Sequence, residues 1–200
     1  MKRYFLLLLF ALVTFSLSAQ DAEPTLNHLT FKGIEIDGHV DDFVTKLLNQ
    51  GFEHWIDNED NNWIALKGPF AGSKREVVVC YTPSTKSTYM VMVSIERSQK
   101  WSTLKATYID FKQLLTEKYG EGNSYEYFEE HYNDGDGYEI MAIDGGNATY
   151  KTFFEAENGR VKVAIGSNDI IEGRVYITYF DKQNASLNES EERAIKLSDL

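Results

Sequence analysis

The sequence is poor in cysteine and in positive charge, and each shortage excludes a class of protein. Cys80 is the single cysteine among 200 residues, so no disulfide can form within the chain. Lys and Arg number 20 against 31 Asp and Glu, which gives a net charge of −11 at pH 7. Nucleic acids and anionic membrane surfaces bind proteins through clustered Lys and Arg. We therefore expect no nucleic-acid partner.

Long apolar runs are scarce as well, and the longest lies within the first 20 residues. It is about 14 residues long, whereas a membrane-spanning helix needs roughly 20. Lys2 and Arg3 precede it, and the small residues Ser18 and Ala19 follow it. This pattern predicts a signal peptide over residues 1–20 and export to the periplasm or the extracellular space. The mature chain would have no integral membrane span.

Two segments have the apolar periodicity of amphipathic helices. The first covers residues 40–48 and is followed by Gly51. The second covers residues 101–118 and is followed by Gly120, with Ser102 as the expected N-cap. Each helix has one apolar face, which we expect to pack on a sheet.

Most of the remaining sequence alternates apolar and polar residues in short runs separated by turns, as strands do. Short connections require antiparallel neighbours. The order of elements predicts an α+β fold of two tandem repeats, each one helix packed on an antiparallel sheet of about four strands. We place the repeats at 21–98 and 99–182, with an insertion near 133–148. A polar C-terminal tail, loose or weakly helical, follows at 183–200.

No motif of a hydrolase or nucleotide enzyme is present, whether G-x-S-x-G, H-E-x-x-H, a P-loop or a dinucleotide fingerprint. Ser102 and Lys105 match S-x-x-K, but the companion motifs of penicillin-recognising enzymes are missing, so we interpret the pair as a helix cap and a solvated side chain. Cys80 lies in an apolar strand that disfavours a reactive thiolate. We predict no catalytic residue and no cofactor. The alternative is a small carboxylate-dependent hydrolase or glycan-active enzyme.

Two acidic turns could bind calcium, which takes several oxygen ligands from closely spaced carboxylates. Asp57 and Glu59 belong to the first turn, and Asp134 and Asp136 to the second. Both turns are explained more simply as hairpin connections, because Asn, Asp and Gly tolerate left-handed backbone. We therefore predict no metal site. A calcium-stabilised structural envelope protein is the third hypothesis.

Aromatic side chains are the strongest candidates for binding, since rings bring a large contact area at low entropic cost. One pair lies on one face of a strand predicted over residues 125–132. Another flanks the acidic turn at residues 57–62, and a further ring begins a strand predicted over residues 138–143 in the insertion. The candidate binding residues are Trp55, Trp63, Tyr125, Tyr127 and Tyr138.

Several short motifs carry a resemblance to known proteins. They are Phe31–Gly38, the spacing Trp101-x-x-Leu104-x-x-x-Tyr108, Glu117–Gly120 and Tyr179–Asp181. With the leader, they make the chain look like a group of uncharacterised secreted proteins of gut Bacteroidetes-type bacteria. The tandem layout is also similar to the β-lactamase-inhibitor-protein-like fold, which includes PepSY-like periplasmic proteins. The resemblance implies binding or inhibition, and it supplies no site residue.

Export, acidity and aromatic strands without catalytic motifs together predict the function. We expect a secreted, non-enzymatic binding or inhibitor-like module that recognises a protein or another envelope component. The contact would use a sheet face and its adjoining loops.

Overall fold

The computed structural model describes residues 28–200. The predicted leader at residues 1–20 therefore lies outside the described residues. Four α-helices occur in the described part of the chain, and its strands are β1 to β10. The helices are α1 Val40–Leu48, α2 Trp101–Tyr119, α3 Glu139–Asp144 and α4 Lys182–Ser198. The strands are β1 Thr30–Phe31, β2 Ile34–Glu35, β3 Glu53–Asn58, β4 Trp63–Phe70, β5 Ser73–Tyr81, β6 Thr88–Ser98, β7 Asn123–Phe128, β8 Ala148–Ala156, β9 Gly159–Ser167 and β10 Gly173–Asp181.

The strands β3 to β10 form one continuous antiparallel sheet in the order β3-β4-β5-β6-β10-β9-β8-β7. In the first half of the chain α1 is followed by the meander β3–β6, and in the second half α2 is followed by the meander β7–β10, in which α3 lies between β7 and β8. The halves meet where β6 pairs with β10, in a register that runs from Gly173 opposite Ser98 to Phe180 opposite Met90. The α+β class is confirmed, but the strands of the two halves share one sheet instead of forming two. None of the helices within residues 28–200 is long and apolar enough to cross a membrane.

The hydrophobic core lies between one face of this sheet and the helices α1 and α2. Both predicted helices are confirmed, and they bury the expected stripes, including Phe43 and Leu47 on α1 and Leu104 and Tyr108 on α2. The sheet meets them with alternate side chains of its central strands. These are Val77, Val79, Val91, Val93, Val161, Val163, Val175 and Ile177. The predicted cap at Ser102 is wrong, because α2 begins at Trp101 and Lys100 occupies the N-cap position.

A partly buried polar bridge joins α2 to the edge strand β7. The Tyr108 hydroxyl lies 3.0 Å from Glu126 Oε1, to which it donates, and 2.6 Å from Thr152 Oγ1 on β8. Lys112 Nζ also donates to Glu126 Oε1, at 2.6 Å. Partial burial raises the pKa of Glu126, but the hydrogen bonds from Lys112 and Tyr108 outweigh it and lower that pKa overall. The carboxylate therefore stays ionised and holds the edge strand to the helix.

Two predicted strands in the second half differ from the structure: the one over residues 138–143 is wrong, and the one over residues 125–132 is confirmed only for residues 125–128. Residues 138–143 form most of α3 instead of a strand, with Glu139, Ile140 and Ala142 buried. An element of six residues covers less than two helical turns, so its apolar pattern does not distinguish the helical period from the strand period. The strand predicted over residues 125–132 ends at Phe128, because His131 has a left-handed φ of 81° that breaks an extended chain.

The C-terminal segment is also better ordered than the predicted tail, because it forms α4. Asp181 caps this helix by accepting the backbone N–H of Asn184 at 2.9 Å. The Asn184 amide donates to the carbonyls of Ile36 and Thr88, both at 3.1 Å. Polar side chains therefore dock α4, and a search for an apolar stripe does not detect them.

Glu191 makes the second anchor of α4. Its carboxylate accepts the backbone N–H of Ser84 at 2.7 Å and the Thr85 hydroxyl at 2.7 Å. Desolvation raises the pKa of Glu191, but these hydrogen bonds bring it below the ordinary value of 4.5. The stabilisation is therefore complete above pH 4.5 and is lost as the pH falls through the lower folded pKa.

We expect Glu191→Gln to lower the free energy of unfolding at neutral pH by about 1–2 kcal/mol, because an uncharged amide accepts these hydrogen bonds more weakly. Urea denaturation should show the difference from wild type shrinking as the pH falls below 4.5. Glu189→Gln is the matched control, since Glu189 is exposed on the same helix. Equal effects of the two substitutions, or a difference that does not change with pH, would contradict this role.

Candidate functional site

The five aromatic residues predicted to bind do not form one site. Trp55 and Trp63 lie on β3 and β4, whereas Tyr125 and Tyr127 lie on β7. β3 and β7 are the opposite edges of the sheet, and adjacent strands are about 4.8 Å apart, so the two pairs are separated by about 30 Å. Tyr138 lies elsewhere again, at the start of α3. Strand order brings these residues to three places.

The face of the sheet turned away from α1 and α2, which we call the outer face, carries lysines against aromatic rings. Lys67 Nζ lies 3.6 Å from the centroid of the Trp55 ring. Lys151 Nζ lies 5.8 Å from the centroid of Tyr125, near the opposite edge. These are cation–π contacts, which hold the lysine stems flat on the sheet. The outer face is therefore locally cationic although the whole chain is acidic.

A cleft of about 720 Å³ lies between the start of α2, the segment 134–141 and the connection from β9 to β10. We call it the loop cleft. Four large apolar side chains line it and are exposed by 38% to 61%; they are Tyr138, Met141, Ile170 and Ile171. Single exposed apolar side chains are ordinary, but a group around one concave site is typical of an interaction surface.

Asp134 fixes one wall of the loop cleft. Trp101 Nε1 donates to Asp134 Oδ1 at 2.6 Å, and Lys105 Nζ forms an ion pair with the second carboxylate oxygen. The hydrogen bonds from Lys105 and then Trp101 lower the pKa of Asp134, and the bond to Asp134 raises the pKa of Lys105. The Trp101 ring also packs edge-on against Tyr150 with a centroid distance of 4.9 Å. The wall is therefore fixed, and its charges neutralise each other.

Beside this wall, the carboxylates of the acidic segment 133–139 accept hydrogen bonds from the backbone of the same segment. Asp136 accepts the backbone N–H groups of Asn133 at 2.7 Å and of Tyr138 at 2.8 Å. Glu139 accepts the N–H of Gly135 at 2.7 Å. These bonds hold Tyr138 at the cleft rim. The carboxylates thus fix the loop, which is the role that hairpin chemistry predicts for Asp in turns.

The acidic turns do not assemble a metal centre in the part of the chain that the structure describes. Within residues 28–200, no group of three or more His, Cys, Asp or Glu side chains could hold a metal ion. In the first turn, Asp57 pairs with His54 at 2.9 Å, and Glu59 begins a short 3₁₀ helix. In the second, Asp134 and Asp136 make the contacts described above. The calcium hypothesis therefore has no ligand set among these residues.

Two carboxylates, Asp134 and Glu139, line the loop cleft, which is the arrangement that the hydrolase alternative requires. A general acid needs a raised pKa, whereas the pKa of Asp134 is lowered by its two donors. Glu139 is 5% exposed and accepts a hydrogen bond from a backbone N–H.

On the outer face, burial raises the pKa of Cys80 to about 12, so its thiolate is scarce at neutral pH. Asp134 thus lacks the raised pKa of a general acid, and Cys80 lacks the lowered pKa of a reactive thiol.

Sequence reasoning missed Met141, Ile170 and Ile171, which complete the rim with Tyr138. Asp169 accepts the backbone N–H groups of Ile171 and Glu172, both at 2.7 Å, and this turn holds the two isoleucines in solvent. The available signal was two adjacent large apolar residues inside a polar turn, where neither strand nor helix periodicity explains them.

Comparison with known proteins finds no family model, no curated protein and no solved structure that matches the chain. The resemblance given above therefore stays a prediction.

We expect Asp134→Ala to release the Trp101 indole. Its Nε1–H should shift in an NMR spectrum and exchange faster with solvent, and the free energy of unfolding should fall by about 1–2 kcal/mol. Asp144→Ala is the matched control, because Asp144 is exposed at the end of α3. An unchanged Trp101 indole signal in folded Asp134→Ala would show that this bond does not fix the wall.

Proposed function

We propose that this protein is an exported, non-enzymatic binding module that recognises an envelope protein through the loop cleft. The observation that carries the proposal is the exposure of four large apolar side chains around one cleft. Buried apolar and aromatic anchors supply most of the affinity at protein interfaces. The expected partner therefore inserts an apolar side chain between Tyr138 and the isoleucines of the β9–β10 connection.

The stiffness of the cleft supports this proposal. Trp101 is fixed by Asp134, and the backbone before Tyr138 is fixed by Asp136. A preformed surface loses less conformational entropy when it binds, so more of the contact energy appears as affinity. Asp134 and Lys105 on the wall already pair with each other. Burial of apolar surface is therefore the main contribution left to drive association.

The proposal extends to origin and location. We propose that the two helix-plus-meander halves derive from a duplicated unit, as in the β-lactamase-inhibitor-protein-like fold, and that the mature protein acts in the periplasm or outside the cell. The predicted leader supports this location, and the matching order of elements in the halves supports the duplication. An inhibitor-like module would use loops at the end of such a sheet, which is where the loop cleft lies.

We expect a photo-crosslinking residue at position 138 to form an adduct with an envelope protein in cells that express the full chain. The same residue at position 125 is the matched control, because Tyr125 and Tyr138 are both exposed tyrosines in different regions. Adding Ile171→Ser should remove the adduct at position 138, since loss of an apolar anchor weakens an interface by at least about tenfold.

Ile109→Ser provides a second control, because Ile109 is exposed on α2 and does not line the cleft. It should leave the adduct at position 138 intact. Absence of an adduct at 138, the same adduct from 125, or an adduct that persists in folded Ile171→Ser would each reject the loop cleft as the binding surface.

A further inference from the structure

A second cavity, of about 370 Å³, opens on the outer face over strands β6, β9 and β10. We call it the sheet pocket. Its lining consists of strand residues and the β9–β10 connection, and it shares no lining residue with the loop cleft. Its volume lies at the small end of the range for small-molecule sites, which is roughly 300–1,000 Å³.

Small residues on β9 create this pocket beside large ones on β10. Tyr176 is paired with Ala164 in the sheet register, and Gly166 follows two residues later on the same face. A Cβ atom at Gly166 would lie 2.8 Å from the Tyr176 ring. The ring can therefore occupy its position only because this site has no side chain. Met90 and Met92 of β6 form the opposite apolar wall.

Two cationic side chains, Lys162 and Arg174, line the sheet pocket, and neither forms an ion pair with a carboxylate among residues 28–200. Asp169 and Glu172, on the β9–β10 connection, also line it. Lys162 Nζ lies 5.1 Å from the centroid of Tyr176 and 5.6 Å from that of Phe180. Desolvation, and then repulsion from Lys151, lowers the pKa of Lys162. Keeping a cation partly desolvated without a counter-ion costs free energy. An anion bound in the pocket would supply that counter-ion to Lys162.

Thr178 supplies an independent sign of a missing polar partner. It lies directly opposite Lys162 in the register of β9 and β10 and lines the same pocket. The residue is 2% exposed, and its Oγ1 has no hydrogen-bond partner in the described structure. Buried hydroxyls are rarely left unbonded, because each unsatisfied group costs stability. The orphan hydroxyl and the unpaired ammonium therefore face one end of the pocket together.

We propose that the sheet pocket binds a small organic carboxylate with an apolar body, its carboxylate at Lys162 and Thr178 and its body along Met90, Met92 and Tyr176. The Lys162 end is favoured for the charged group. At the other end, Arg174 is near Glu76 and Glu172 as well as Arg97, and Asp169 and Glu172 line the pocket, so a carboxylate ligand would meet negative charge there. No carboxylate offsets Lys162 in this way. Thr178 donates its hydroxyl hydrogen to the carboxylate in this arrangement.

The test uses the full mature chain with sodium octanoate as the probe, octanamide as its neutral isostere and acetate as the head group alone. Backbone amide shifts of β9 and β10 in NMR titrations report binding and location. We expect saturable octanoate binding with shifts at Thr178 and Tyr176, at least tenfold weaker binding of octanamide, and no saturation with acetate. Equal affinity for octanoate and octanamide, octanoate shifts confined to other strands, or no octanoate binding would overturn the proposal.

Variants complete the test. Lys162→Met keeps the length of the side chain and should weaken octanoate binding at least tenfold. Lys151→Met is the matched control, because Lys151 is a neighbouring outer-face lysine outside the pocket lining, and it should change the affinity less than twofold. Thr178→Val should weaken binding several-fold without lowering the free energy of unfolding, since it removes an unbonded hydroxyl. Wild-type affinity in folded Lys162→Met would reject the site.

Two variants, each tested in the assay of the other site, distinguish the sheet pocket from the loop cleft. Tyr138→Ala should bind octanoate as wild type does, and Lys162→Met should still form the adduct at position 138. Loss of octanoate binding in folded Tyr138→Ala would contradict the independence of the two sites.

Discussion

The pairing of β6 with β10 is the constraint on which the rest of the structure depends. It joins the edge of one four-stranded meander to the edge of the other, so that the eight main strands share one sheet. Val91, Val93, Val175 and Ile177 are almost completely buried along this seam. Because of this seam, α1 and α2 cover one common sheet surface. The backbones of β6 and β10 pair with each other, so neither is an open edge at the centre of the molecule. The edge strands of the eight-stranded sheet are β3 and β7, where exposed side chains and polar contacts protect them.

The same continuous sheet separates two kinds of surface. Helices α1 and α2 cover one face, and the loops at its end form the apolar rim of the loop cleft. The outer face keeps its lysines and rings, and there the alternation of small and large residues on β9 and β10 opens the sheet pocket. A protein with net charge −11 thus presents an apolar cleft in one place and a pocket with Lys162 at one end in another. The proposed partners, a protein for the cleft and a small carboxylate for the pocket, follow from these two chemistries.

Local periodicity predicted the parts of the fold that local forces control. The helices α1 and α2 follow from apolar spacing over several turns, and Asp and Gly in the connections follow from turn chemistry. Periodicity failed for α3, which is too short to display a period, and for α4, which docks through Asn184 and Glu191 instead of an apolar stripe. It also placed Tyr125 and Trp55 among candidates for one binding function, although they lie at opposite edges of the sheet. Within each meander the strands pair with their sequence neighbours, but the β6–β10 pairing joins distant segments, and no local pattern encodes it.

The sequence by itself determined the acidity, the absence of disulfides within the chain, the α+β class and the two main helices, and it made Tyr138 a candidate binding residue. Tertiary structure decided which residues meet. It set Tyr138 beside Ile170 and Ile171, placed Asp134 on Trp101, and put Lys162 opposite Thr178. Helix and strand periods depend on neighbours a few residues apart, whereas these contacts join segments brought together by the sheet register, which becomes defined only when the core packs.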